Sequence, residues 1–225
     1  MTNPRARSIL LTVLGTPNRD RVSERRAATR REILDAAWEQ AREVGIATIT
    51  LRDIARAVGM QPPSLYTHFD SKNAVYDAMY AEAWEEYERH ALAQLEDVPA
   101  EPRAALHRAA RVFFDFAVAD LARHQLMNQR TIPGFEPTPA SYAPAVRVLD
   151  HGIAFLGSLG VTERADFDIW ISLIGGLIDQ QLANDPGGDR FSRLLERAID
   201  MFADAVGLSA LPEKSTTRRK AGTPR

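Results

Sequence analysis

The chain has 225 residues, enough for one ordinary core or for a small head and a larger body. Its 45% hydrophobic and 26% charged residues exclude a disordered or fibrous chain. The absence of cysteine excludes disulfides, thiolate zinc sites and cysteine nucleophiles, and suits a reducing compartment, by default the cytoplasm. A formal net charge of -2 excludes a polycation that coats nucleic acid indiscriminately, so any such contact must come from a local patch.

Residues 1–22 read as a flexible basic arm, mixing Arg5, Arg7, Arg19 and Arg21 with Pro4, Gly15, Pro17 and Asn18. The apolar run from Ile9 to Leu14 is short for a signal peptide, and no small-residue cleavage site follows it. From Ser23, the apolar positions Ile33, Ala36, Ala37, Ala41 and Val44 recur at helical spacing up to Gly45, which predicts a first amphipathic helix. Arg25, Arg26, Arg30 and Arg31 are expected on its outer face, either solvated or meeting phosphates.

Thr50 and Asp53 can form a capping box that opens a second helix through Leu51, Ile54, Ala55 and Val58 until Gly59 stops it. Pro62 and Pro63 suit the first turn of a third, very short helix reaching about Phe69. Ser71 can cap a fourth that runs past Val75, Met79, Trp84 and Tyr87 to Leu95, before Pro99 forbids continuation. A further helix is expected from Pro102 through Phe116 and Ala117, broken near Ala122 to His124, with a helical piece ending around Arg130. The loop Thr131 to Pro139 is rich in proline and glycine and reads as a gate for a cavity. Helices are then expected from Ser141 to Leu159, from Thr162 past Gln181 to the Pro186-Gly187-Gly188 break, and from Asp189 to Val206.

With no strand alternation, the fold class is all-α. Two short helices joined by a sharp glycine turn and set between longer ones form a three-helix helix-turn-helix DNA-binding head over 23–72, followed by a helical domain over 73–208. A disordered basic tail over 209–225 carries Lys214, Arg218, Arg219 and Lys220. No stretch reaches the roughly 18 continuous apolar residues of a spanning helix, so no membrane partner is expected. No phosphate-binding glycine loop, HExxH pair or GxSxG elbow occurs, and the histidines are scattered. No enzyme, cofactor or metal is therefore expected. A ligand-free nucleoid-type DNA binder is the other alternative, one that would show no pocket and little sequence preference.

The segment TLRDIARAVGMQPPSLYTHFDSKNAVYDAM closely resembles the DNA-binding head of the TetR family of bacterial transcriptional regulators. The likeness covers about Arg25 to Met79, including AAWEQAREVGIATITLRDIARAVG and the SLYTHF reading helix. It implies DNA contact by Arg52, Pro62, Pro63, Ser64, Tyr66, Thr67, His68 and Lys72. By chemistry, Tyr66, His68 and Lys72 suit phosphates, whereas Gln61, Ser64 and Thr67 suit base edges. Arg52 could serve either.

The resemblance further implies a homodimer on a double-stranded DNA operator and a small-molecule effector in the helical body. Phe113, Phe116, Met127, Phe135, Trp170 and Ile174 are the apolar candidates for the effector pocket, with His124, Asn128, His151 and Gln181 as its polar fixtures. Phe167, Ile171 and Ile178 on one helix and Phe191, Leu195, Ile199 and Phe202 on the last are the candidates for the dimer interface.

Overall fold

The computed structural model describes residues 21–208, and the arm up to residue 20 and the tail 209–225 lie outside the described residues. Nine α-helices occur among the described residues: α1 (Arg21–Val44), α2 (Leu51–Ala57), α3 (Pro62–Leu65), α4 (Lys72–Gln94), α5 (Pro102–Val118), α6 (Leu121–Asn128), α7 (Pro139–Ser158), α8 (Arg164–Asn184) and α9 (Leu195–Ala205). The all-α expectation holds. None of these helices is long and apolar enough to cross a membrane.

Several boundaries differ from expectation for local reasons. The break after α5 falls at Ala119 and Asp120, not at Ala122 to His124, because the Asp120 carboxylate caps α6 by accepting from the Arg123 amide at 3.1 Å. α8 is capped at Glu163 without a side-chain bond, so Thr162 does not open it. The last helix is shorter than expected, since Ser192–Leu194 form a 3-10 turn before α9.

The described residues form two compact units. One contains the chain up to Met79 with Thr131–Glu136, and the other contains Tyr80–Arg130 and the chain from Pro137 onward. α4 supplies residues to both. The first unit therefore extends beyond residue 72, where the sequence suggested a boundary, and takes in most of the proline-rich loop. Asn73 Nδ2 donates to the Gly134 carbonyl at 3.4 Å, and the Phe135 ring lies 5.5 Å from that of Tyr76.

The core of the first unit is built by Ile33 and Ala37 of α1, Ile54 of α2, Leu65 of α3, Phe69, and Val75, Tyr76 and Met79 of α4, all buried. Burying such side chains contributes roughly 1.5 to 3 kcal/mol each, which is what holds so short a helix as α3. Tyr76 also donates its hydroxyl to the Ile46 carbonyl at 2.7 Å, and burial pushes its phenol up to about 12.

In the second unit Leu106 and Phe114 of α5, Leu156 of α7, Phe167, Trp170, Ile174 and Ile178 of α8, and Leu195, Ile199 and Phe202 of α9 form one apolar cluster. The five aromatic and aliphatic residues Phe167, Ile178, Leu195, Ile199 and Phe202, expected at a dimer interface, are thus consumed by the chain's own core. Phe191 is half-buried, and Ile171 is exposed. The loop between α8 and α9 is organised by Gln181, only 3% exposed. Its Oε1 accepts from the Phe191 and Ser192 amides at 2.9 and 3.1 Å, and its Nε2 donates to the carbonyls of Gly188, at 3.1 Å, and Asp185. A buried amide needs such partners, and here they replace the pocket role expected of Gln181.

Candidate nucleic-acid interface and internal cavity

α2 begins as its sequence requires. The Thr50 hydroxyl accepts from the Asp53 amide at 3.2 Å and donates to the Asp53 carboxylate at 2.6 Å, satisfying an orphan helix donor. Its end is equally specified. Gly59 takes φ 69°, the left-handed region that side chains disfavour, and lets the Met60 and Gly59 amides bond back to the Ala55 and Arg56 carbonyls at 2.8 and 3.1 Å. Pro62 and Pro63 then occupy the first two positions of α3, where a missing N–H costs nothing.

The helical part of the reading segment ends at Leu65, and Tyr66 to His68 continue as turns, so it is shorter than the stretch to Phe69 expected from sequence. Leu65 faces inward, whereas Gln61, Pro63, Ser64, Tyr66 and Thr67 are exposed and Pro62 is half-buried. Tyr66 is 53% exposed, an orphan aromatic by folding criteria. The Thr67 hydroxyl donates to the Ser64 carbonyl at 2.7 Å, leaving its oxygen lone pairs and methyl group for an incoming ligand.

Two residues expected to meet phosphates are half-buried. His68 is half-buried, with Nδ1 enclosed and without a hydrogen-bond partner. Lys72 directs Nζ to the Ile49 and Ala47 carbonyls at 3.3 and 3.4 Å and lies over the Tyr76 ring. It still borders a shallow groove shared with Thr50, Arg52, Arg56 and Tyr66, which brings two predicted residues, Arg52 and Tyr66, beside Lys72. Arg56 was missed by sequence reasoning. It is exposed and paired with Asp53 at 2.9 Å.

Arg26 and Arg30 were expected on the outer face of α1, yet both turn to the reading segment. Arg26 donates to the Thr67 carbonyl at 3.1 Å. Arg30 donates to the His68 carbonyl, and its guanidinium lies 4.0 Å from the centre of the Phe69 ring. Two cations thereby satisfy carbonyls just past the end of α3, the end that carries partial negative charge.

The second unit holds a partly open cavity of about 500 Å³, within the range of small-molecule sites. Trp84, Tyr87 and Glu88 of α4, Phe113 of α5, His124 and Asn128 of α6, His151, Gly152 and Phe155 of α7, and Phe167, Trp170, Ile174 and Asp179 of α8 are among its walls. Six of the predicted pocket residues therefore converge: Phe113, His124, Asn128, His151, Trp170 and Ile174. Four do not. Phe116 lies under the Arg123 guanidinium, 3.7 Å from its ring centre, Met127 is buried outside the lining, Phe135 belongs to the first unit, and Gln181 ties the loop. The 131–136 part of the loop belongs to the first unit, and no residue from Thr131 to Pro139, where a gate was expected, is among the cavity walls.

At Gly152, an added Cβ would stand 3.2 Å from the Phe167 ring, so glycine permits the close approach of α7 to α8 at the cavity wall. Glu88 binds Arg147 in a two-pronged pair, with Nε at 2.9 Å from one oxygen and a terminal nitrogen at 2.7 Å from the other. The Arg147 guanidinium holds the Glu88 carboxyl below the usual carboxylate range. Burial pushes the Tyr87 phenol far above its ordinary value. Among the described residues, no group of three metal-ligating side chains converges.

A short reading segment with an exposed polar edge, braced across a capped helix and a tight glycine turn, defines a helix-turn-helix DNA-binding protein. Residues 33–79 match the family of bacterial regulatory proteins described as the tetR family. The chain is 29% identical over 187 residues to the tetracycline repressor protein class A from transposon 1721 of Escherichia coli, covering 77% of this chain and 80% of that protein. Its fold is shared by a TetR-family transcription regulator from Marinobacter aquaeolei, with TM-score 0.60, 19% identity and coverage of 81% of this chain and 97% of that one. A TetR-family transcriptional regulator from Bordetella parapertussis gives TM-score 0.59 and 21% identity, over 78% and 94% of the two chains. Residues 33–79 thus carry the DNA-binding head of the TetR family of transcriptional regulators, and most of the chain is similar to a tetracycline repressor.

Proposed function

We propose that this protein is a ligand-responsive transcriptional repressor that acts as a homodimer on a palindromic operator. The observation that carries the reading is the use of one helix by two sites. α4 bears Lys72 beside the reading segment in its first turn and Trp84, Tyr87 and Glu88 on the cavity wall further along. A small molecule in the cavity would therefore act on a helix that also supports the DNA-binding residues. It can change operator affinity only by binding one arrangement better than another. Repression is supported by the name of the related tetracycline repressor.

Self-association is supported by what the core leaves outside. Ile169 on α8 and Met201 on α9 are 55% and 64% exposed, and Leu194 is exposed beside α9. Together with Gly176, also exposed, they follow the helical spacing of a second apolar face opposite the core. In a homodimer, Arg52, Gln61, Ser64, Tyr66 and Thr67 would meet half-sites roughly 34 to 36 Å apart.

The test is selection of operator DNA from a random library, followed by light scattering and gel shift on wild type and on an Ile169→Glu, Met201→Glu double variant. The reading expects a wild-type dimer, one preferred inverted repeat, and a folded monomeric variant with operator affinity reduced at least about a hundredfold. A monomeric wild type that binds its preferred site with full affinity would refute it.

A further inference from the structure

The charges around the cavity give its ligand a sign. Among the described lining residues no lysine or arginine occurs, and two carboxylates do, Glu88 and Asp179. The charge of Glu88 is met by Arg147 in the two-pronged pair described above. Asp179 has no such partner. Its Oδ1 accepts from His124 Nε2 at 2.9 Å and from Gln129 Nε2 at 2.8 Å, whereas Oδ2 takes no bond. The side chain is 52% exposed.

His124 sits inside the same hydrogen-bond network. The ring is 3% exposed. Asn128 Nδ2 stands 3.3 Å from both the Nδ1 and the backbone carbonyl of His124, an arrangement in which Nδ1 accepts and Nε2 donates to Asp179. His124 and Gln129 therefore orient Asp179, and no lysine or arginine of the lining meets its charge. The aromatic residues Trp84, Tyr87, Phe113, Phe155, Phe167 and Trp170 line the same space, and aromatic rings can attract cations through their faces.

We propose that the cavity takes a lipophilic organic cation, its apolar body against the aromatic walls and its positive charge toward Asp179. A carboxylate or phosphate ester would find no cationic side chain and would face an uncompensated carboxylate. This inference rests on the cavity being the effector site, as proposed above.

The test separates the two readings with three probes on the full chain at pH 8, above the ordinary imidazole range. N-phenyl-1-naphthylamine, neutral and fluorescent in apolar surroundings, reports whether the cavity takes a ligand at all. Tetraphenylphosphonium and tetraphenylborate, alike in shape and opposite in charge, then compete for it. The phosphonium is expected to displace the dye at a concentration at least about tenfold lower than the borate. Asp179→Asn should erase most of that ratio, and the wild-type ratio decides alone if the variant does not fold. Dye binding with equal displacement, or with the borate favoured, overturns the cationic assignment and leaves the cavity reading standing. No dye binding overturns both.

Discussion

If Arg30 positions the reading segment instead of touching DNA, its loss should weaken operator binding without changing how binding responds to salt. The perturbation is Arg30→Met, which keeps an unbranched apolar stem on α1. It removes the bond to the His68 carbonyl and the stacking over Phe69 at 4.0 Å. A charge-assisted bond of this kind contributes about 1.5 to 3 kcal/mol when well shielded, and the cation–aromatic interaction about 0.5 to 1 kcal/mol. Arg30 is half-buried, so the lower ends apply, and about 2 kcal/mol of ordering is lost. If the segment must order to bind, the dissociation constant rises roughly thirtyfold per head.

Fluorescence anisotropy of labelled operator, measured from about 50 to about 300 mM salt, distinguishes the two roles. A cation that neutralises one phosphate contributes about 0.9 to the slope of log affinity against log salt, and its removal flattens the line by that amount. Arg30→Met should leave that slope unchanged while lowering every point on the line. Arg52→Met, at an exposed residue of the groove beside Tyr66, serves as the contrast and should flatten it. A flattened slope for Arg30→Met, by about one unit or more, would refute the positioning role and return the residue to the phosphate backbone.

Removing the Gln181 amide tests the loop that precedes α9. Gln181→Leu leaves the Phe191 and Ser192 amides and the Gly188 carbonyl without their partners and should cost about 2 to 3 kcal/mol, roughly 4 to 12 °C in melting temperature. Calorimetry showing no change would sink the assignment. The Glu88–Arg147 pair predicts a pH dependence. The folded Glu88 carboxyl lies below its unfolded value, near 4.3, so the contribution is complete above that value and is lost as pH falls through the lower, folded one. With Arg147 half-exposed, Arg147→Gln should lower the melting temperature only slightly at pH 7. Its melting curve should converge on wild type in acid, and a difference that persists undiminished at low pH would contradict the pairing.

Much of the first unit was legible because its signals are local. A capping box, a left-handed glycine and a proline pair act within a few residues, and each does in the fold what its chemistry predicts. Even the turned-in arginines left a trace. Arg26, Arg30, Ile33 and Ala37 follow at intervals of four, three and four, which sets both arginines on the buried stripe of α1. Charge alone suggested the outer face.

The second unit was harder because hydrophobicity does not say which of two apolar faces meets the core. On α8 Phe167, Trp170, Ile174 and Ile178 fill the interior, and Ile169 and Ile171 are left exposed. Phe135 and Gln181 were misread for a different reason. Their partners, Tyr76 and the amides past α8, lie at the far side of a loop whose path no residue pattern specifies. Asp120 could have been found, since an aspartate three residues before the amide it accepts from is a capping signal.

The brace of Arg26 and Arg30 also bears on how such a protein changes over generations. The reading segment is held by Leu65 and Phe69 from below and by two guanidiniums at its end. Gln61, Pro63, Ser64, Tyr66 and Thr67 face outward and are not part of the packed core. Mutations at Gln61, Ser64 and Thr67, the base-edge candidates among them, should therefore rewrite the preferred DNA sequence with little penalty in stability, since surface changes away from the supporting residues fall mostly within about 0.5 kcal/mol. A duplicated gene could drift to a new operator one residue at a time and remain folded at each step.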